Sequence, residues 1–517
     1  MDFSSNSLPI ALRRQLFRSG IKNMGNKINP RPPPSEQPDI SSVNGSGLFC
    51  DPEFPATDES LFQDPDEKVS RSITWKRPHE IVSRPEIFVD GANRTDVRQG
   101  NLGDCWFLSA AAAIASRPDL IKQVIPEGQV LYGQGYRGLV TFRFWRMGTW
   151  VTVDIDDRLP VDENGDLYYA TCRDPNEFWL PLLEKAFAKF HGNYNNIDGG
   201  QLSESFISMT GYISETIETD ELPMNDLFNL IRLEFRNGSL ISCSTGTLKT
   251  RGLLTLHAYT VTGAWRIEMP HEGVVKLVRV CNPWGKIEWC GDWCENDPRW
   301  EMVPGNVKKE MEYRLEDDGE FWITMSDFLK KFEVITIATK VPRLDITHPV
   351  LLNNLFAMQN SWLEGKTAGG SRKKDIRRYS SNPQYLLTVK EPDDDDICQP
   401  GEAPDELICR AITTCNVIVE LVQEHNRKKF QDFYKIGFSV YPYEKSMPRK
   451  RLTAGDLNEV EPLEGSVRHL RTSSVVGRLN LKPGSYVIIP CTKEPDLSRD
   501  FLLRVYCRKL ITLIELC

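Results

Sequence analysis

The chain has 517 residues, a hydrophobic fraction of 40%, a charged fraction of 26% and a formal net charge of −9. These values are ordinary for a globular protein, and the length predicts about three or four domains. The acidic balance argues against a general nucleic-acid-binding surface. No apolar run approaches the roughly 18 residues of a membrane-spanning helix.

The N-terminal segment is polar. Residues 1–48 contain "NPRPPPSEQPD" and "SSVNGSG", which predict a flexible tail, and they lack the long apolar core typical of a signal peptide. The thirteen cysteines are an odd number without a C-x-x-C pair, so we expect no disulfide framework. Cys281, Cys290 and Cys294 lack a fourth ligand at the spacing of a zinc site. We therefore expect a cytoplasmic protein.

The next three segments alternate between helical and strand-like patterns. "CWFLSAAAAIAS", from Cys105, is typical of a buried helix that ends near Pro118. "GLVTFRFWRMGTWVTVDIDDRLPV" alternates on both sides of residues 147–149 and predicts a hairpin. "FWLPLLEKAFAKFHG" has helical spacing. The glycines of "DGGQLSES", Gly199 and Gly200, predict a hinge or the edge of a substrate cleft.

The remaining chain is rich in strand patterns. "HAYTVTGAWRI" and "VVKLVRVCN" alternate well, and a tryptophan-rich loop follows them. From about Leu344, short β-rich runs separated by turn residues predict an antiparallel sandwich of roughly 150–170 residues. The acidic loop 391–406 and the basic clusters 372–378, 427–429 and 449–451 are either solvated loops or an electrostatic latch. Calcium or anionic lipid would weaken such a latch.

Cys105 stands at the start of its helix, directly after a glycine-containing turn. A helix N-terminus favours the thiolate, which is the nucleophilic form of cysteine. The glycines would let a substrate backbone approach closely. A buried structural cysteine is the commoner explanation of Cys105 alone.

Candidate partners for this thiol lie elsewhere in the chain. His257 opens a strand at roughly the distance, 130–170 residues downstream, seen in papain-like enzymes, whereas His271 reads as an exposed turn residue. Asn282 follows a strand and precedes a proline, so its amide oxygen could orient the imidazole, and Trp284 could shield that bond. The Gln99 side chain could stabilise an oxyanion together with the backbone N–H of Cys105.

Several segments resemble the calpains, the calcium-dependent intracellular cysteine proteases. The likeness covers roughly residues 49–510 and rests on motifs in matching order: "RTDVRQGNLGDCWFLSA", "FWLPLLEKAFAKFHGNY", "HAYTVTGAW", "NPWGKIEWCGDW", "DDGEFWITMSDF" and "TAGGSRKKDIRRYSSNPQYLLTVKEPDDDD". The resemblance implies an α+β fold. A two-part papain-like core, divided as 49–199 and 200–341, would precede a C2-like antiparallel β-sandwich at 342–517.

The resemblance also implies residue roles. Cys105 matches the nucleophile, His257 the base, Asn282 the orienting residue and Gln99 the oxyanion donor, while Trp284 matches a tryptophan of the cleft. It further implies two Ca²⁺ ions in the core, held by oxygen ligands. The matching positions are, for the first ion, the carbonyls of Val89 and Gly91 with Asp96 and Glu184, and, for the second, Glu288, Glu295, Asp318, Glu320 and the carbonyl of Glu316.

The resulting prediction is a calcium-activated endopeptidase that performs limited proteolysis of protein substrates. The chain departs from the family in having Leu256, where glycine is usual before the histidine. It also has no EF-hand motif, so we expect no EF-hand small-subunit partner; anionic phospholipid is a possible ligand of the sandwich. A catalytically weak scaffold acting through the sandwich is the alternative. A transglutaminase-like Cys-His-Asp centre would need an acid in place of Asn282.

Overall fold

A computed structural model describes most of the chain. The described residues are 47–63, 73–249, 252–285, 287–316, 318–342, 354–390, 417–424, 433–443, 450–507 and 509–516. Most of the expected tail, all of the acidic loop 391–406 and the basic cluster 427–429 lie outside these ranges. No helix within them is both long and apolar enough to cross a membrane. None of the described cysteines forms a disulfide.

The described residues form two compact units. The first contains residues 47–143 and 152–201, except 64–72, and the second contains 144–151 and the described residues from 202 onward. The helices of the first unit are Asp58–Leu61 (α1), Pro78–Ile81 (α2), Cys105–Ala115 (α3), Pro118–Val124 (α4) and Trp179–His191 (α5). The strands up to residue 201 are Thr74–Lys76 (β1), Val97–Arg98 (β2), Leu139–Arg146 (β3), Thr149–Asp156 (β4), Leu159–Val161 (β5) and Thr171–Cys172 (β6).

Two helices make the core of the first unit, and both follow from the sequence pattern. α3 is buried along nearly its whole length, as its small and apolar residues predict. α5 begins at Trp179 and ends at His191, where Gly192 takes a positive φ of 122°. Phe107 of α3 stacks on Phe187 of α5, with ring centroids 4.5 Å apart. This packing fixes the nucleophile helix on a rigid support.

The second unit has short helices and many strands. Its helices are Leu202–Thr210 (α6), Met224–Arg236 (α7), Gly305–Glu310 (α8), Met325–Lys331 (α9), Ile376–Tyr379 (α10) and Ala454–Glu459 (α11). Its strands up to residue 342 are Ile213–Glu218 (β7), Leu240–Thr245 (β8), Ala258–Met269 (β9), Gly273–Cys281 (β10), Glu320–Thr324 (β11) and Phe332–Thr339 (β12). They form one antiparallel sheet in the order β11-β10-β9-β8-β12-β7.

The later strands form the expected sandwich. They are Leu355–Trp362 (β13), Tyr385–Val389 (β14), Val417–Gln423 (β15), Lys435–Tyr443 (β16), Val467–Arg471 (β17), Ser474–Leu479 (β18), Gly484–Thr492 (β19), Arg499–Cys507 (β20) and Ile511–Glu515 (β21). One sheet has the order β13-β20-β15-β18 and the other β17-β16-β19-β14-β21. All of their pairings are antiparallel, and the inward-facing residues make one apolar core. The predicted sandwich is therefore confirmed.

An ion pair buried in the second unit joins the sandwich to the preceding sheet and helix. Arg504 of β20 and Glu420 of β15 are both fully buried and bonded to each other. The Arg504 guanidinium also donates to the carbonyls of Gly211 and Tyr212 and lies 4.5 Å from the ring centre of Trp145. These partners compensate the charge that burial would otherwise penalise.

Arg504→Met should lower the free energy of unfolding by about 3–5 kcal/mol, because it leaves the Glu420 charge buried without its cation. Glu420→Gln combined with Arg504→Met should recover much of that loss. Thermal unfolding midpoints of the wild type and both variants measure this. Equal midpoints for the single and double variants would contradict the expected role of the unpaired charge.

Candidate active site

The nucleophile segment is held by backbone and side-chain hydrogen bonds within the first unit. Cys105 is the first residue of α3, and its side chain is partly exposed. Gly103 donates its N–H to Asp198 Oδ1 (2.8 Å), and its carbonyl accepts from the N–H of Gly199 (2.9 Å). The side-chain amide of Gln99 donates to the Leu102 carbonyl at 2.7 Å. The structure thus gathers the predicted nucleophile, oxyanion donor and glycine hinge on one set of adjoining loops.

Gly200 is a glycine because of a close approach. A Cβ at this position would lie 2.3 Å from the indole of Trp106. That indole donates to the Ile197 carbonyl at 3.0 Å, so it cannot move away without losing a bond. The glycine lets the loop after Ile197 close over the first turn of α3.

A buried carboxyl pair lies behind the nucleophile. Asp104, the N-cap of α3, and Glu184 of α5 are both buried, and their carboxyl groups interact electrostatically. Glu184 also accepts from the N–H of Ala170. Burial raises the pKa of both acids, and the charge of Asp104 raises that of Glu184 further. No local pattern in the sequence predicts this pairing.

The predicted base and its orienting residue meet at the ends of two central strands of the six-stranded sheet. β9 and β10 pair antiparallel, so the start of β9 lies beside the end of β10. His257 directly precedes β9, and Asn282 directly follows β10. The Asn282 Oδ1 atom lies 2.9 Å from His257 Nε2 and also accepts from the N–H of Trp284 at 3.0 Å. An amide oxygen only accepts, so Nε2 carries the proton and Nδ1 is the proton acceptor of the neutral ring.

The surroundings keep this imidazole neutral. Burial lowers the pKa of His257 to about 4, although the hydrogen bond with Asn282 opposes the shift. The Trp284 ring meets the imidazole nearly perpendicularly, with centroids 5.6 Å apart. His271, in contrast, is exposed in the turn between β9 and β10, as the sequence predicted. A buried neutral imidazole with a fixed tautomer is suited to accept a proton through Nδ1.

The first group of predicted calcium ligands gathers around a different glutamate. Glu177 Oε1 accepts from the N–H of Val89 at 3.0 Å, and burial and the charge of Asp96 raise the pKa of Glu177 to about 7. Burial also raises the pKa of Asp96. Gly91 has a positive φ of 88° in the loop that joins these residues. Glu184 instead contacts Ala170 and lies against Asp104, so the contacts favour Glu177 in this group.

The second group concentrates negative charge within the second unit. Burial and the charges of Glu288, Asp318 and Glu320 raise the pKa of Glu295 to about 8. Glu288 Oε1 accepts from the N–H of Gly319 at 2.9 Å. A backbone hydrogen bond from Glu316 to the Glu295 carboxyl opposes this rise in pKa.

The ligand atoms of both groups are of the type that binds a hard cation. They supply carboxylate and carbonyl oxygens, and repulsion within them raises acid pKa values that a dication would lower. In the described residues, no three His, Cys, Asp or Glu side chains are already placed to hold an ion.

Comparison with known proteins decides the family. Residues 49–339 match the calpain family cysteine protease model, and residues 358–506 match calpain large subunit domain III. The chain belongs to the calpain family. It is 35% identical to the calpain-2 catalytic subunit of Bos taurus over 484 residues, covering 90% of this chain and 67% of that protein. It is 36% identical to calpain-8 of Mus musculus over 494 residues, covering 92% and 68%. The fold is accordingly a calpain protease core followed by a C2-like sandwich.

Gly200→Ala should lower the free energy of unfolding by about 1–3 kcal/mol, since the added methyl group overlaps the Trp106 indole. Gly305→Ala is the matched control, because a Cβ there meets nothing within 4 Å. Chemical denaturation of both variants measures the difference. Equal stability of the two would contradict the close approach.

The low pKa of His257 should make folding pH-dependent. The unfolded chain binds a proton at this residue below about pH 6.5, whereas the folded protein binds one only near pH 4. Stability from His257 therefore rises with pH between these values, by up to about 1.4 kcal/mol per pH unit, and is constant above them. Denaturation of the wild type and His257→Gln at several pH values measures this. Glutamine cannot titrate, so a stability difference independent of pH would contradict the shift.

Proposed function

We propose that this chain is a calcium-dependent cysteine endopeptidase whose catalytic groups are Cys105, His257 and Asn282. The observation that carries the proposal is the buried His257–Asn282 pair, with its acceptor nitrogen fixed as Nδ1. The partly exposed Cys105 at a helix N-terminus supports it from the first unit. Membership of the calpain family sets the reaction class as hydrolysis by a cysteine protease.

The proposed chemistry is acyl transfer through a thioester. His257 Nδ1 takes the thiol proton as Cys105 Sγ attacks the scissile carbonyl carbon, and the C–N bond then breaks as the imidazolium returns that proton to the leaving amine. Water, deprotonated by the same imidazole, hydrolyses the thioester and restores the thiol. The Gln99 amide and the Cys105 N–H are the proposed oxyanion donors. For this role Gln99 would exchange its bond to Leu102 for one to the oxyanion.

The calcium requirement is proposed from the two acidic groups. Bound Ca²⁺ would supply positive charge and oxygen coordination at each group. The proposed first group is Val89, Gly91, Asp96 and Glu177. The proposed second group is Glu288, Glu295, Glu316, Asp318 and Glu320. In the second group, Glu320 Oε1 also accepts from Thr262 at 2.6 Å and lies 3.5 Å from Arg279 Nε, so this ligand already has competing partners.

The proposed substrates are proteins, cleaved at a limited number of bonds in the cytoplasm. Binding of anionic phospholipid and independence from an EF-hand subunit stay predictions from the sequence, as do the domain boundaries. The electrostatic latch also stays a prediction, since its acidic loop is outside the described residues. Three cations of cluster 372–378 have acidic partners within the second unit: Arg372 pairs with Glu461 at 2.8 Å, Lys374 with Glu494 at 3.0 Å and Arg378 with Asp496 at 2.5 Å. The scaffold alternative rests on Leu256 alone.

Casein cleavage tests the proposed function. The wild type should release peptides with millimolar Ca²⁺ and not with a chelator, whereas Cys105→Ala should release none under either condition. Circular dichroism of the variant checks that it is folded. A wild type without calcium-dependent cleavage would overturn the proposal and favour the scaffold.

The choice between two glutamates can be tested through the calcium requirement. Glu177→Gln should raise the Ca²⁺ concentration for half-maximal cleavage about tenfold or more, since it removes a proposed ligand charge. Its amide oxygen can still accept from Val89. Glu184→Gln should change that concentration much less, because its acid pairs with Asp104. A larger effect at Glu184 would restore it to the proposed ligand group.

A further inference from the structure

Three large apolar side chains stay exposed around the base and its orienting residue. Leu256 is 41% exposed, Trp284 38% and Ile287 40%. Leu256 directly precedes His257, and Trp284 contacts the imidazole. The Ile287 carbonyl accepts from Asn282 Nδ2 at 3.1 Å. We call Leu256, Trp284 and Ile287 the apolar rim.

Two members of the apolar rim have a strained backbone. Leu256 has a φ of +52° and Ile287 a φ of +69°, in the left-handed region that glycine and asparagine adopt more easily. A residue with a Cβ adopts this region only at a cost in free energy. At Leu256 the conformation is fixed by hydrogen bonds, since its N–H donates to Gly246 and the His257 carbonyl accepts from Thr245, each at 3.0 Å. Strain of this kind concentrates at functional sites.

The chemistry of the base indicates which part of a substrate would meet the apolar rim. In the proposed reaction, His257 protonates the amine nitrogen that leaves when the peptide bond breaks. That nitrogen belongs to the substrate residue immediately after the scissile bond. Groups that adjoin the imidazole are therefore close to this residue when its nitrogen is protonated. Exposed apolar surface there is best covered by an apolar side chain.

We propose that the apolar rim is a specificity site that selects substrates with Leu, Ile, Met or Phe immediately after the cleaved bond. This inference rests on the proposed endopeptidase function. Leu256 is its decisive residue, because glycine at this position would remove both the strain and the apolar side chain. Trp284 and Ile287 supply the remaining apolar surface on either side of Asn282.

The proposal is tested with two quenched fluorescent peptides, which differ only in having Leu or Ser immediately after the cleaved bond. Cleavage is measured with excess Ca²⁺, and mass spectrometry of the products confirms which bond is cleaved. The wild type should favour the Leu peptide in kcat/KM by about tenfold. Leu256→Gly removes the side chain, whereas Leu256→Asn keeps a side chain of similar size, tolerates the positive φ and is polar. Both should reduce the preference to about threefold or less.

Val274→Asn is the matched control. Val274 is 42% exposed and lies in β10, at the opposite end of that strand from Asn282. This variant should keep the wild-type preference, because it changes an exposed apolar residue of the same sheet away from the imidazole. A loss of preference in Val274→Asn as large as that in Leu256→Asn would overturn the proposal.

The remaining outcomes separate this inference from the proposed function. A wild type that cleaves casein but shows no preference, or a preference unchanged in both Leu256 variants, overturns the specificity site alone. If Leu256→Gly raised kcat/KM equally for both peptides and Leu256→Asn left it unchanged, Leu256 would be a steric barrier, and the specificity site would also be overturned. A wild type that cleaves neither casein nor the peptides removes the proposed function, and this inference with it.

Discussion

The antiparallel pairing of β9 with β10 is the constraint on which the candidate base depends. His257 and Asn282 are separated in sequence, and they come within 2.9 Å because the first strand begins where the second one ends. The close approach of Gly319 to Gly285, where a Cβ would meet backbone at 2.8 Å, packs the turn after Asn282 against the sheet. A shift of register by one residue would turn neighbouring side chains to the opposite face and separate the pair. The tautomer, burial and low pKa of the imidazole all follow from this geometry.

Several energetically unfavourable features lie beside the proposed catalytic groups. Leu256 and Ile287 have left-handed backbones, and both are exposed although apolar. Asp104, next to Cys105, is buried against another acid. Beside the base, the Tyr259 ring packs on His257 and also on Phe321, and both aromatic rings belong to an apolar core of the second unit. A rigid core can therefore hold strained or mismatched groups in place where a flexible loop would relax.

The sequence predicted the elements better than the contacts among them. Periodicity located the helices at Cys105 and Trp179, the hairpin around Met147 and the β-rich sandwich, because each depends on a local pattern of apolar residues. The sequence also predicted His257 as the base and Asn282 as its orienting residue. The sequence could not predict the preference for Glu177 over Glu184. Both acids belong to one short segment, and only the path of the preceding loop decides which of them contacts Val89. The left-handed Leu256 had no local signal, because backbone bonds to a distant strand end impose it.

Buried acids in this protein are of two kinds, and the difference carries functional information. Glu420 meets Arg504, while Lys185 and Arg158 hold the pKa of Asp156 well below its usual range despite burial. Such acids have cationic partners within the fold and need no ligand to compensate their charge. For Glu177 and Glu295, burial and acidic neighbours instead raise the pKa values, so their charge destabilises the folded state until a proton or cation compensates it. Since Glu288 follows Asn282 by only a few residues, compensation at the second group would act on the same loop that orients the base. Cation binding at the second group would thus be linked to the geometry of the proposed base through a short covalent path.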